Sequence, residues 1–363
     1  MSQAQLEIQL IAMVVSVACA LPGVFLVLRR MAMMSDAISH SILLGIVAAF
    51  FITHDLTSPL LIIGATITGI LTVVLVELLN RTGLVREDAA IGLIFPLLFS
   101  LGVILISRYA GNIHLDTDAV LLGELAFAPF DRFIVFGHDL GPKSLYLMLG
   151  ILIINILFIS VFFKELKLVS FDAGLAMALG FSPTVIHYSL MTLVSITAVG
   201  AFDAVGSILV VALMIGPPVT AYLLTEKLSV MIIVSSLVGI IVSLCGYWMA
   251  HLLDTSIAGS MATMVGVIFL LTYLFAPEKG LIALVRRRRR QKIQFSLEML
   301  LVHLLHHEGS PEAERECHVE HLSDHLYWDS DFSNQVVKRG EREEFLQKEG
   351  DYLILTPAGQ EKA

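Results

Sequence analysis

Windows of about 20 apolar residues recur along this chain, the length a helix needs to cross a hydrocarbon core. Nine can be read: Leu6–Leu28, Met31–Ile52, Pro59–Leu79, Ala89–Ser107, Ser144–Phe163, Thr184–Ala201, Val205–Leu224, Ser229–Ala250 and Ile257–Ala276. With 15% charged residues among 363 and a mean hydropathy of +0.83, the chain is not an ordinary soluble protein. The predicted fold is an all-α polytopic membrane protein with about nine transmembrane helices. The block 184–224 carries only Phe202–Asp203 at its middle and can be divided differently. The first window lacks a basic flank and is too long for a signal-peptide core. Cys19, Cys245 and Cys317 are isolated, so no disulfide framework is expected.

Lys and Arg segregate by side in a nine-span arrangement. Arg29, Arg30, Arg81, Arg86, Lys164, Lys167, Lys227, Lys279, Arg286–Arg290 and Lys292 fall on one side, and only Arg108, Arg132 and Lys143 on the other. This places the N-terminus outside and the C-terminus in the cytosol. The organisation expected is a transmembrane domain over 1–285, a basic linker over 286–295 that sits at anionic headgroups, and an acidic cytosolic domain over 296–363. That last region holds 15 acidic and 6 basic residues, which accounts for the whole net charge of −9. Helical patterns through Phe295–His307, Glu312–Leu326 and Phe332–Leu346 precede a short strand at Tyr352–Leu355, the order of a small α+β winged-helix-like domain.

Inside the second window, Asp36 and His40 lie four residues apart and share a helix face. An ionisable group at bilayer depth costs at least about 2.5 kcal/mol, and a carboxylate with an imidazole suits a divalent transition metal. The opposing reading makes Ser35–Asp36 a helix cap and His40 a satisfied core residue. Asp203 is either an outer-loop residue or a third carboxylate on a polar pathway. Pro217 and Pro218 after Gly216 predict a helix break, either lining a pore or serving as a packing kink. In the loop 164–183, Phe171, Leu175 and Leu179 form one apolar stripe on a short predicted helix, with Ser170 or Asp172 as its cap and Gly180 at its end. That helix either lies on the bilayer or docks a cytosolic protein. In the acidic region His303, His307, Cys317, His321 and His325 recur at four-residue spacings, as a metal sensor would have them or as scattered surface residues do. The chain has no G-x-x-x-x-G-K-[ST] motif, so it does not itself hydrolyse ATP by that device.

Four segments together resemble the membrane permeases of metal-type ABC importers: Leu28-Arg-Arg-Met-Ala-Met-Met-Ser-Asp-Ala-Ile-Ser-His40, Glu87-Asp-Ala-Ala-Ile-Gly92, the helix around 171–180, and Gly206–Thr225. The resemblance covers about residues 5–278. It implies a permease of the bacterial inner membrane that imports manganese, zinc or iron, with Mn²⁺, Zn²⁺ or Fe²⁺ as cargo rather than a resident cofactor. It also implies a cytosolic ABC ATPase, a second permease (the same chain or a different one) and an extracytoplasmic metal-binding protein. Within it, Asp36 and His40 line the path, and 171–180 is the helix that couples to the ATPase. The final Leu355-Thr-Pro-Ala-Gly359 resembles the end of a metal-dependent-repressor winged helix. A domain of net charge −9 repels DNA outside a patch at Lys338, Arg339 and Arg342, so nucleic acid is not an expected partner. The alternatives are an ion-coupled secondary transporter, an importer of metal chelates such as siderophores or cobalamin, and a membrane-tethered regulator.

Overall fold

The computed structural model describes residues 2–54, 58, 60–109, 125–135, 138–311, 313–319, 321–322 and 328–363. Contacts divide the chain into two compact units, Met1–Leu274 and Phe275–Ala363. Part of the semi-apolar stretch 120–130 lies outside the described residues, as does His325.

The first unit is a helical bundle. Its long helices are α1 (Gln3–Leu28), α2 (Met33–Thr53), α3 (Leu60–Arg81), α4 (Glu87–Tyr109) and α5 (Lys143–Val161). Two short helices follow, α6 (Phe163–Phe171) and α7 (Ala173–Ala178), then α8 (Pro183–Leu224), α9 (Leu228–Leu253) and α10 (Ile257–Phe275). Among the described residues, eight helices are long and apolar enough to cross a membrane. A two-stranded hairpin, β1 (Arg132–Val135) with β2 (His138–Pro142), precedes α5. Arg132 ties it to α1 through Glu7 at 3.1 Å and also pairs with Asp139, whose carboxyl it holds below the usual range.

Helix α1 is the most enclosed element, with Ile11, Val15, Phe25 and Leu26 fully buried. It packs on α8, α9 and α5. Where a hydroxyl or amide would be stranded in an apolar interior, neighbouring helices answer it. Ser243 of α9 donates to the Ala12 carbonyl at 3.1 Å, and Asn155 of α5 donates to the Ala18 carbonyl at 2.9 Å and to Thr197 of α8 at 3.0 Å. Helices α2 and α3 approach where two glycines face each other. A Cβ on Gly45 would stand 2.2 Å from the Gly64 carbonyl oxygen, so only a bare backbone fits there.

The expected spans 184–201 and 205–224 are two helices that meet across a kink within the 42-residue segment α8. A straight helix of that length would separate Ile186 from Ala221 by about 50 Å. Both nevertheless lie in one apolar cluster with Leu21, Val24 and Phe25 of α1. The chain therefore doubles back, and it does so at Gly206, the position inside α8 with non-helical angles (φ 77°, ψ 164°). The break expected at Gly216, Pro217 and Pro218 does not occur. Helical geometry runs through the pair, because proline's fixed φ suits a helix and its cost lies in the carbonyls left without donors. Those carbonyls belong to Leu213 and Met214, which are buried among neighbouring helices, and Thr220 donates to the Gly216 carbonyl at 2.8 Å.

The second unit has its own core of Leu297, Leu300, Leu301, Leu304, Val336, Leu346 and Leu353. Its elements are α11 (Leu281–His307), α12 (Ala313–Glu316), α13 (Ser330–Arg342), β3 (Leu346–Glu349), β4 (Tyr352–Leu355) and α14 (Pro357–Lys362). Residues 286–295 are helical, lying within α11, since Arg, Lys and Gln are good helix formers. One strand was expected near the end; two are present, paired antiparallel from Leu346↔Leu355 to Glu349↔Tyr352. Among its described residues the C-terminal unit is thus helical with a single hairpin.

Gly206 sits in a region of backbone space that is essentially closed to other residues. Gly206→Ala is expected to destabilise the folded chain by about 1–3 kcal/mol. A lowered thermal midpoint in detergent micelles, against an unlowered midpoint for Gly92→Ala, a helical glycine with open space around it, checks this.

Candidate functional site

Helix α2 begins at Met33 with Ala32 as its cap, and no side chain closes that end. Asp36 is therefore not the capping residue. It lies in the first turn, where a carboxylate is favoured by the helix dipole. His40 follows one turn later, its Nε2 3.4 Å from Asp36 Oδ1.

Most of α2 is buried between α3, α4 and α8, including Met34, Ala37, Ile38 and Ile42. One stripe is left uncovered. Asp36, His40 and Leu44 are part-exposed and Ala48 is exposed, a four-residue spacing that keeps them on one face. The side chains of Asp36 and His40 keep 30% and 27% of their surface open in the single chain. The His40 ring is flanked by Phe95 and Phe99 of α4, at centroid distances of 5.9 and 6.1 Å, which narrows its freedom to turn. Behind the stripe, Thr72 of α3 donates to Ser41 at 2.6 Å and fixes the rotation of α2 against α3. The arrangement presents one carboxylate and one imidazole, fewer ligands than a closed metal site uses. Among the described residues no third ligand group gathers with this pair, so a divalent ion would be held here weakly.

A second polar group lies at the same end of the bundle. Glu77 pairs with Arg81 at 2.5 Å and lies 3.9 Å from His187 of α8. Together with Asn80, Glu87 and Met31 these side chains line a cavity of about 190 Å³. The sequence carried one sign of this group, an acidic residue within the third apolar window. His187 is separated from it by too many residues for any spacing argument.

The other expected residues are placed as follows. Asp203 lies three residues before the Gly206 turn. It is not brought to Asp36 and His40: Ile38 lies level with Ser195, and Asp203 is about 12 Å farther along α8. In the 171–180 segment, Asp172 caps α7, accepting from the Leu175 amide at 2.9 Å. Gly180 ends the turn at φ +87°. The expected continuous stripe is interrupted, because Asp172 is extended (φ −150°, ψ 93°) and leaves Phe171 at the end of α6. Phe171, Leu175 and Leu179 are all exposed nonetheless. Arg29 Nε donates to Ser170 Oγ at 3.1 Å, linking the α1–α2 turn to this segment. In the C-terminal unit His303, His307 and His321 gather around Glu316, a residue the sequence reading did not select. Cys317 packs instead into the core near Leu304 and Leu353, where burial pushes its thiol pKa up.

The model of the ABC 3 transport family matches residues 3–276. The chain is 50% identical over 354 residues to the zinc transport system membrane protein TroD of Treponema pallidum, covering 98% of this chain and 96% of that one. It is 49% identical over 268 residues to the manganese transport system membrane protein MntD of Bacillus subtilis, covering 74% and 90%. Among solved structures, PsaBC from Streptococcus pneumoniae in complex with Fab is similar at a TM-score of 0.64 and 30% identity, covering 77% of this chain and 94% of that one. The family match ends near the boundary between the two units, whereas the similarity to TroD spans most of both.

A part-exposed carboxylate–imidazole pair on one helix is worth only about 0.5 kcal/mol. Asp36→Ala and His40→Ala are expected to leave the thermal midpoint of the purified chain within a few degrees of the unsubstituted protein. A large drop for either would make the pair a structural element.

Proposed function

Because the chain belongs to the ABC 3 transport family, we propose that it is the membrane permease subunit of an importer for a divalent transition metal, manganese or zinc foremost. The observation that carries this reading is the uncovered stripe on α2: an otherwise enclosed helix leaves open the one face that bears Asp36 and His40. A second permease laid against that face, a further copy or a related chain, would supply the missing ligands. Four groups, two carboxylates and two imidazoles, would then face one path. Such oxygen and nitrogen donors take Mn²⁺, Fe²⁺ or Zn²⁺ without the grip of thiolates, and release is what transport requires. By the Irving–Williams order the pair alone favours zinc over manganese, so choice between them rests largely with the extracytoplasmic binding protein.

The segregation of Lys and Arg supports an N-terminus outside and a cytosolic C-terminal unit in the inner membrane. On that side lie the cavity formed by Glu77, Glu87 and His187 and the capped helix α7. The exposed Phe171, Leu175 and Leu179 suit docking to a cytosolic ATPase, which supplies the energy this chain has no motif to extract. The Arg29–Ser170 hydrogen bond is a direct route by which movement of that segment reaches α2. The order helix–helix–helix–hairpin in residues 296–363 supports a winged-helix reading of the C-terminal unit, acidic and therefore not a DNA-binding one.

Asp36→Ala or His40→Ala is expected to abolish ATP-driven uptake of Mn²⁺ and Zn²⁺ in proteoliposomes holding the assembled complex, with assembly unchanged. Uptake at the unsubstituted rate in both variants would remove the pair from the path. Leu175→Asp is expected to lower the yield of co-purified ATPase several-fold while the permease itself stays folded. Unchanged recovery of the ATPase would show that α7 is not the docking element.

A further inference from the structure

The C-terminal unit contains a second constellation suited to a metal. Helix α11 sets His303 and His307 one turn apart, with ring centroids 4.8 Å from each other. Helix α12 brings Glu316 beneath them, and the ligand atoms of these three residues all lie within 4.8 Å of one another. His303 Nε2 is 3.7 Å from a Glu316 carboxylate oxygen and 3.2 Å from the Glu316 carbonyl. The same carboxylate oxygen lies 3.1 Å from His321 Nε2. Glu316 is buried, and the side chains of His303 and His321 are nearly so, at 13% and 10% exposure.

We propose that His303, His307 and Glu316 bind a divalent transition-metal ion, with His321 completing the set. Two imidazoles at four-residue spacing on one helix, closed by a carboxylate from a separate segment, are a recurrent zinc donor set. Tetrahedral zinc asks for donor atoms about 3.3 Å apart, so the widest separation here closes by small side-chain rotations. The donors also explain why a carboxylate is buried against three imidazoles in a segment, residues 296–363, that is otherwise strongly acidic. Nitrogen-rich ligation makes this site tighter for Zn²⁺ than for Mn²⁺. The site joins α11 to α12 and the following turn across the Gly309 bend, so binding stiffens the core built on Leu304 and Leu322. It is a regulatory site: metal accumulating on the side that holds this unit binds here and slows further import. That role rests on the import reading above, whereas binding itself does not.

The test uses the full-length chain in detergent, carrying Asp36→Ala and His40→Ala so that the path pair is silent. Zn²⁺ is titrated against a chromophoric chelator. One zinc ion per chain is expected, with affinity lowered about tenfold or more by His303→Ala with His307→Ala, and by Glu316→Gln. His306→Ala, on the neighbouring position of α11, is expected to bind as before, and monodisperse elution of every variant excludes unfolding as the cause. Absence of zinc binding, or binding indifferent to the His303 and His307 substitutions, overturns the site. For the regulatory role, zinc is placed on the ATP side of proteoliposomes holding the complete transporter with Asp36 and His40 intact. Inhibition of uptake that the His303→Ala/His307→Ala variant relieves is expected, and equal inhibition of both overturns it. A transporter that moves no metal at all refutes the import reading and leaves the binding titration to decide the site.

Discussion

Hydrocarbon offers no hydrogen bonds, and the architecture of the first unit follows from that one fact. Each backbone amide in the apolar windows has to find its partner within its own segment, which leaves helices as the available form. Polar side chains inside the bundle obey the same demand. Asn155 reaches the Ala18 carbonyl and Thr197, Ser243 reaches Ala12, and Thr72 reaches Ser41. These bonds join helices far apart in sequence and fix how each is rotated against the next. The rotation of α2 is the one that matters for function. With Ser41 turned towards Thr72 and Gly45 pressed on Gly64, Asp36 and His40 have to face the open side.

The same constraint explains the behaviour of the prolines and of Gly206. A break inside the bundle strands carbonyls where no water answers them, so the Pro217–Pro218 pair is absorbed within helical geometry that its neighbours enclose. A reversal needs backbone angles that side chains forbid, so it falls on glycine. In the sequence the windows 184–201 and 205–224 put a turn at 202–204, and Pro217–Pro218 marks a second break. Local chemistry marked the right block and the wrong residue, because the decision lay in which helices pack against each half.

Candidate sites were legible in proportion to how local they are. Asp36 and His40 stood out because four-residue spacing in an apolar window is visible in the chain itself. The Asp172 cap and the Gly180 end of α7 were equally local. The extended Asp172, which takes Phe171 off that helix, was not, since the residue whose carboxylate begins one helix also ends the other through its backbone. In the C-terminal unit the His303/His307 spacing was readable, but Glu316 comes from a separate helix and has no periodic relation to either. Cys317 was the more conspicuous ligand by type, yet its neighbours in space are Leu304 and Leu353, and it serves the core.

By itself the sequence determined that this protein lives in a membrane, that its helices are of spanning length, that its acidic excess falls in residues 296–363, and that a carboxylate and an imidazole share one face of the second span. Hydropathy, charge and helical spacing are properties of short stretches, and they survive whatever the rest of the chain does. Only the tertiary structure decided that this face stays open while the rest of α2 is enclosed, that α8 doubles back at Gly206, and that Glu316 meets His303 and His307. Those outcomes depend on contacts between segments distant in sequence, where close packing and the pairing of every buried polar group select one arrangement that no local pattern encodes.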